Sequence, residues 1–223
     1  QGLPDPKPDT RPRPQAMLPS NGPTRMEKHP MHAHRPSDPF AVEALEPRIV
    51  LDGTPLDPAH PVVEIDTNYG NIYIELYPDI APVTVDNFLS YVERDDWDNS
   101  FFHRHVEDFV LQGGGWYWDD DRQSVDHVTQ QDPIVNEFDV SNTKWTVAMA
   151  KLGGDPDSAT SEWFINLGDN SENLDNQNGG FTVFGKVVGG RTVVNTIEAL
   201  RVLNLGGSFT NVPVADAFDT DAT

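Results

Sequence analysis

Apolar and polar positions alternate in two short runs, VVEID at Val62–Asp66 and NIYIELY at Asn71–Tyr77, on either side of Thr67-Asn68-Tyr69-Gly70. A two-residue period with a glycine at the turn predicts a β-hairpin. The period then lengthens. Pro82 stands where a first helical residue belongs, and Val85, Phe88, Leu89 and Val92 follow at helical spacing, predicting a helix to about Arg94. A second helix is predicted over Thr192–Leu200, with Val193, Val194, Ile197 and Leu200 on one stripe after the Gly189-Gly190 break. Further strands are predicted at Ser100–His105, Phe109–Gln112, Thr146–Ala150, Trp163–Asn166, Thr182–Val187 and Asn211–Val214. Short strands between turn-rich loops favour a closed or sandwiched β architecture capped by two helices over parallel βαβ units.

The N-terminal quarter has no such pattern. Fourteen of the nineteen prolines lie at or before Pro61, so residues 1–58 are expected to be a largely disordered tail, with one folded domain over 59–218 and a short C-terminal tail at 219–223. Charge changes at the same boundary. Up to residue 60 the acids and bases nearly cancel, whereas from Pro61 onward 28 Asp and Glu face eight Lys and Arg. A net charge of −21 disfavours nucleic acid and anionic membrane surfaces as partners. No apolar run is long enough to predict a membrane span. The absence of cysteine excludes disulfides, thiolate metal sites and cysteine nucleophiles. The chain starts at Gln1 without an initiator Met or the apolar core of a signal peptide, so a processed or shortened chain is expected.

Several chemistries lack their anchors. There is no G-x-S-x-G elbow, Walker loop or H-E-x-x-H pair, and Gly113-Gly114-Gly115 opens onto Trp116 and an acidic run instead of a helix. On a strand, His103 and His105 would share one face, with Arg104 and Phe102 on the other. Two imidazoles on a face could hold a metal, but no third ligand is evident, and packed or surface histidines are the plainer expectation. His29, His32 and His34 are read as solvated. Asp119–Asp121 and DNSENLDNQNGG could offer calcium oxygen ligands, yet EF-hand spacing is not met, and solvated loops are expected.

The stretch FFHRHVEDFVLQGGG, Phe101–Gly115, sets one of the domain's few cations among aromatic residues. A structural ion pair with one of the many acids would account for Arg104. So would a task. Arg104, Phe109 and Gln112, with Trp163, Phe164, Leu174 and Phe181 downstream, supply a cation, an amide and an apolar floor but no nucleophile or general base. Rotation about an X-Pro bond needs no more than this. Its barrier of about 18–20 kcal/mol is amide resonance, and no covalent bond breaks. In the twisted state the prolyl nitrogen gains a lone pair, which a guanidinium donor stabilises more than it does either planar isomer.

With these residues the chain resembles the cyclophilins, and within them the compact bacterial peptidyl-prolyl isomerases. The resemblance runs in order through VVEIDTNYGNIYIELYPDIAPVTVDNFLSYV, FFHRHVEDFVLQGG, TVAMAKLGGDPDSATSEWFINL and LDNQNGGFTVFGKVVGG, about 160 residues. It implies a mainly β fold, an eight-stranded antiparallel closed β-barrel capped by two α-helices, with the proline site on its outer surface. It implies Arg104 as catalytic residue, Phe109, Val110, Phe164, Leu174 and Phe181 around the proline, and Gln112 on the substrate backbone. The main chain of Ala150 and Lys151 would pair with the residue preceding proline. Three positions depart from the usual pattern. Glu162 replaces glutamine and could pair with Arg104 or repel an acidic substrate; Asn173 replaces a tryptophan of cyclosporin-sensitive members, so cyclosporin should bind weakly; Phe181 replaces a histidine. Expected partners are Pro-containing peptides and unfolded or folding proteins, bound by a monomer without cofactor or metal. A weakly catalytic Pro-peptide binding module using the same groove is the alternative. ALEPRIVLDG, Ala44–Gly53, resembles a segment near the start of large bacterial surface and secreted proteins, which points to an extracytoplasmic bacterial setting.

Overall fold

A computed structural model describes residues 57–215. The expected tail up to residue 56, His29, His32 and His34, the ALEPRIVLDG segment and the expected C-terminal tail lie outside the described residues.

The hairpin forms where the alternation places it. Strands β1 (Val62–Thr67) and β2 (Gly70–Leu76) pair antiparallel, with Thr67 opposite Gly70. Then come α1 (Pro82–Glu93), β3 (Arg104–Val106), β4 (Val110–Gly113), β5 (Trp116–Asp119), β6 (Ser124–His127), β7 (Thr146–Met149) and β8 (Trp163–Asn166). A one-turn α2 (Ser171–Leu174), β9 (Val183–Gly189), α3 (Arg191–Glu198), β10 (Arg201–Leu203) and β11 (Val212–Val214) complete the order. Seven strands form one antiparallel sheet in the order β1-β2-β9-β7-β8-β4-β3, and β5-β6 and β10-β11 are separate two-stranded ribbons. Strand pairing thus ends the sheet at β1 and β3, one strand short of the eight that the resemblance implies, and only an isolated parallel bridge from Arg104 to Asn211 extends it beyond β3. The sheet curls around one core: Val63 and Ile65 of β1 and Phe102, just before β3, pack against the same cluster as Ile74, Leu111, Val147, Ile165 and Phe184.

Both predicted helices close over that core. From α1, Val85 and Phe88 are buried as the spacing predicts, but Tyr91 is also fully buried, and Leu89 and Val92 only partly. The tyrosine is admitted because its hydroxyl accepts the Gln131 N–H at 2.7 Å while its ring stacks on Trp97. From α3, Val194 and Ile197 are buried. That helix starts at Gly190, whose φ of 76° lies in the left-handed region and where a Cβ would run into the Asn71 carbonyl oxygen.

Unpredicted elements have local causes. The Asp119–Asp121 run turns between β5 and β6 because Arg122 bridges Asp119 at 2.7 Å and Asp126 at 2.8 Å. Asp120 and Asp121 are exposed, as a solvated loop was expected to be, and the run forms the tip of a ribbon with its charge partly offset by Arg122. Residues 100–103 are not regular strand, since β3 begins only at Arg104.

Helix α1 has no side-chain cap at Ala81. Glu137, 53 residues downstream of Thr84, accepts instead from the Val83 and Thr84 N–H groups and the Thr84 hydroxyl at 2.8–3.1 Å. A carboxylate there satisfies orphan donors and faces the positive end of the helix dipole. Glu137→Ala is therefore expected to cost about 1–2 kcal/mol, read as a lowered urea midpoint; an unchanged midpoint would contradict the capping role.

Candidate active site

Antiparallel register builds the site. Arg104 lies opposite Gln112, Gln112 opposite Phe164, Phe164 opposite Ala148 and Ala148 opposite Val183, a single rung across β3, β4, β8, β7 and β9. Directly opposed residues share a sheet face, so this rung faces outward while the next, His105, Leu111, Ile165 and Val147, faces the core. Val110, Ala148, Phe164, Leu174 and Val183 form a second buried apolar cluster, with Phe109, Ala150 and Phe181 packed against it.

A groove of about 220 Å³ opens over that cluster. This suits one small ring, being below the roughly 300–1,000 Å³ of drug-sized sites. Nine of the ten site residues expected from the sequence line it: Arg104, Phe109, Val110, Gln112, Ala150, Lys151, Phe164, Leu174 and Phe181. Glu162 does not. Gln177 does, and was not anticipated; polar and in a glycine-rich loop, it gave no signal.

Arg104 is half-buried and has no carboxylate partner among the described residues. Its Nη1 donates to Gln112 Oε1 at 3.3 Å, and its Cζ lies 6.0 Å from the Phe109 ring centroid. Burial lowers its pKa, but an arginine stays protonated at neutral pH. The plain ion-pair account of Arg104 is thereby set aside.

Glu162, which the sequence offered as a partner of Arg104, is turned elsewhere. Its Oε2 accepts from Gln112 Nε2 at 2.6 Å and lies 3.4 Å from His103 Nε2, while Oε1 is 3.8 Å from His127 Nε2. Burial opposes ionisation of this carboxyl. The hydrogen bond and charge of His103, the Gln112 bond and the charge of His127 outweigh it, leaving the group below its ordinary value.

Lys151 offers more than its main chain. Its Nζ donates to the Gly180 carbonyl and sits 4.9 Å from the Phe181 ring centroid, so the groove wall carries a second cation. Phe102 does not share a face with Arg104 as alternation predicted. With the strand not yet regular it turns inward, edge-on to Trp163 at 5.9 Å.

A buried amide network that sequence reasoning did not single out fixes the groove walls. Asn166 donates to Thr146 Oγ1 at 2.9 Å, and Asn170 donates to Asn166 Oδ1 at 2.7 Å and to the Phe109 carbonyl at 2.8 Å. Asn142 donates to Asp175 Oδ1 at 2.9 Å and to the Phe181 carbonyl at 3.0 Å. Two acids of the supposed calcium loop are thus employed, since Asp169 also accepts from Ser171. Asn173 is held by Gln177 Nε2 at 2.7 Å. Among the described residues no three His, Asp or Glu side chains group as metal ligands.

The two histidines beside Arg104 are both buried, His103 against Glu162 and His105 with neither ring nitrogen hydrogen-bonded. Desolvation lowers the His105 pKa against the opposing charges of Glu198 and Glu107. The folded state therefore favours neutral imidazole. Stability from this group is full above the unfolded value near 6.5 and is lost as pH falls through the folded value. His105→Leu is expected to shrink the loss of urea-midpoint stability between pH 7.5 and 5; an equal loss in both proteins would contradict the assignment.

Residues 62–217 match the family described as cyclophilin type peptidyl-prolyl cis-trans isomerase/CLD. The chain is 40% identical over 158 residues to a peptidyl-prolyl cis-trans isomerase of Acinetobacter baylyi, covering 70% of this chain and 80% of that protein. It is 35% identical over 170 residues to peptidyl-prolyl cis-trans isomerase B of Escherichia coli, covering 73% and 98%. Its fold matches the crystal structure of a Cryptosporidium parvum cyclophilin type peptidyl-prolyl cis-trans isomerase at a TM-score of 0.55 and 23% identity, covering 70% of this chain and 91% of that one. A structure of the same protein in the presence of the dipeptide Ala-Pro matches at 0.53, again with 23% identity, covering 68% and 91%. The chain belongs to the cyclophilin-type peptidyl-prolyl cis-trans isomerases.

Proposed function

We propose that this member of the cyclophilin-type isomerases turns X-Pro bonds between cis and trans in unfolded and folding proteins, with Arg104 as its catalytic residue. The observation that carries the reading is a half-buried guanidinium held by an amide, with no carboxylate among the described residues to neutralise it, over an apolar floor. The pyrrolidine ring seats against Phe109, Val110, Phe164 and Leu174, with Phe181 at the edge. The Arg104 donor meets the prolyl nitrogen as the amide twists. A positioned donor of this kind acts on the transition state, because the planar amide has no localised lone pair to receive it. Gln112 orients the guanidinium and holds the substrate backbone. Ala150 and Lys151 flank the residue before proline; the Ala150 N–H is committed to the Glu162 carbonyl at 2.9 Å, so the Ala150 carbonyl is the group offered there.

Neutralisation of Arg104 by Glu162 is one route to the weakly catalytic binding module, and the contacts of that carboxylate with Gln112 and His103 speak against it.

Several wider readings go with this one. Residues 59–218 act as a single isomerase domain, in keeping with the family match over 62–217. The curled sheet is read as the eight-stranded barrel of the family, with the parallel bridge from Arg104 to Asn211 in support of closure beyond β3. Cyclosporin binds weakly because an asparagine, Asn173, offers no indole. The protein works as a monomer outside the bacterial cytoplasm, a placement supported by the ALEPRIVLDG segment and the acidic charge.

Arg104→Ala is expected to lower kcat/KM for a short X-Pro peptide by about 100-fold or more, with KM little changed. Equal rates for the two proteins would contradict the proposal and favour the binding module.

A further inference from the structure

Glu162 is the site residue whose structural setting departs most from expectation. It lies behind the groove and touches its lining through Gln112. A glutamine amide has two ends of similar shape and opposite polarity. Here both of its neighbours are single-valued, since a guanidinium only donates and a carboxylate only accepts. With Arg104 at 3.3 Å on one side and Glu162 at 2.6 Å on the other, only one orientation of Gln112 satisfies both. In the flipped orientation two donors would face each other at Arg104 and two acceptors at Glu162. A glutamine at 162, the residue that the resemblance leads one to expect, can donate or accept and would not choose.

The carboxylate is itself fixed. His103, buried ahead of β3, and His127, at the end of β6, approach its two oxygens from different elements. Gly115 leaves room for it, since a Cβ at that residue would meet Glu162 Oε1 at 2.6 Å. It lies below its ordinary pKa and is an acceptor at neutral pH.

We infer that Glu162 is a positioning residue: with His103 and His127 beside its two oxygens, its carboxylate clamps the Gln112 amide in the one orientation that presents Oε1 to Arg104. The guanidinium is thereby held over the groove with its remaining N–H groups free for substrate. The inference rests on the isomerase reading and adds a residue to it that need not touch peptide. Loss of this clamp lets Gln112 flip and Arg104 wander, which slows the chemical step without emptying the apolar seat.

Two variants disturb the same carboxylate by different routes. Glu162→Gln removes its single-valued polarity, and Gly115→Ala displaces it while keeping its charge. Each is expected to lower kcat for an X-Pro peptide by about three- to tenfold, in line with weakening one charge-assisted hydrogen bond without abolishing it, with KM within about twofold of wild type. In wild-type protein the Gln112 side-chain NH₂ is expected as one slowly exchanging pair of NMR resonances, and in Glu162→Gln as a shifted or doubled set. A folded variant of either kind with wild-type kcat, a loss confined to KM, or two Gln112 sets in the wild type would overturn the inference. If Glu162→Gln does not fold, Gly115→Ala and the wild-type spectrum decide. Equal rates for wild type and Arg104→Ala would remove the isomerase reading itself. An inactive Arg104→Ala beside two fully active clamp variants would remove only the role of Glu162.

Discussion

The hydrogen bond from Arg104 to Gln112 is the contact on which the site depends, because it holds a cation in place without neutralising it. In a chain with 36 acids and 15 bases an arginine could easily have found a carboxylate. A salt bridge would have stabilised the ground state and blunted the donor. An amide oxygen orients the guanidinium without cancelling its charge, and Glu162 is kept on the far side of that amide. Such an arrangement suits the differential stabilisation of a twisted prolyl nitrogen proposed above.

That contact exists because of sheet register. Alternation along β3, β4 and β8 sends Arg104, Gln112 and Phe164 to the outer face and His105, Leu111 and Ile165 to the core. A slip of one residue would exchange the two sets, burying the arginine and exposing the aliphatic core, so the hydrophobic pattern that folds the sheet also specifies the site. The groove walls are then secured from outside the sheet. Asn170 ties the loop of Phe109, and Asn142 links Asp175, at the end of the turn that carries Leu174, to the backbone of Phe181. Among the described residues the acidity of the chain is kept out of the groove, whose lining contains Arg104 and Lys151 and no carboxylate.

The hairpin, both long helices and most of the sheet were legible in the sequence, because periods of two and of 3.6 in buried residues report directly on which face meets the core. Nine groove residues were legible through the resemblance, whose ordered segments are specific. What escaped notice depends on tertiary partners. The β5–β6 ribbon hides behind an acidic run whose charge Arg122 partly neutralises. Tyr91 joins the core only because Gln131 is present to satisfy its hydroxyl. Phe102 leaves its expected face where the strand is irregular, and the Glu162 carboxylate turns from Arg104 because two histidines distant in sequence draw it away. Nothing in the spacing of Asn142, Asn166 and Asn170 distinguishes a buried network from loop polarity.

In the mechanism proposed above, a forked, oriented donor at residue 104, more than its charge alone, speeds the turn of the bound amide. The most direct measurement is cis–trans exchange of an enzyme-bound X-Pro peptide, followed by NMR exchange spectroscopy for wild type and Arg104→Lys, which keeps the charge and loses the planar fork. Similar peptide affinity is expected, with on-enzyme exchange at least about tenfold slower in the lysine variant. Exchange at the wild-type rate in that variant would contradict the mechanism.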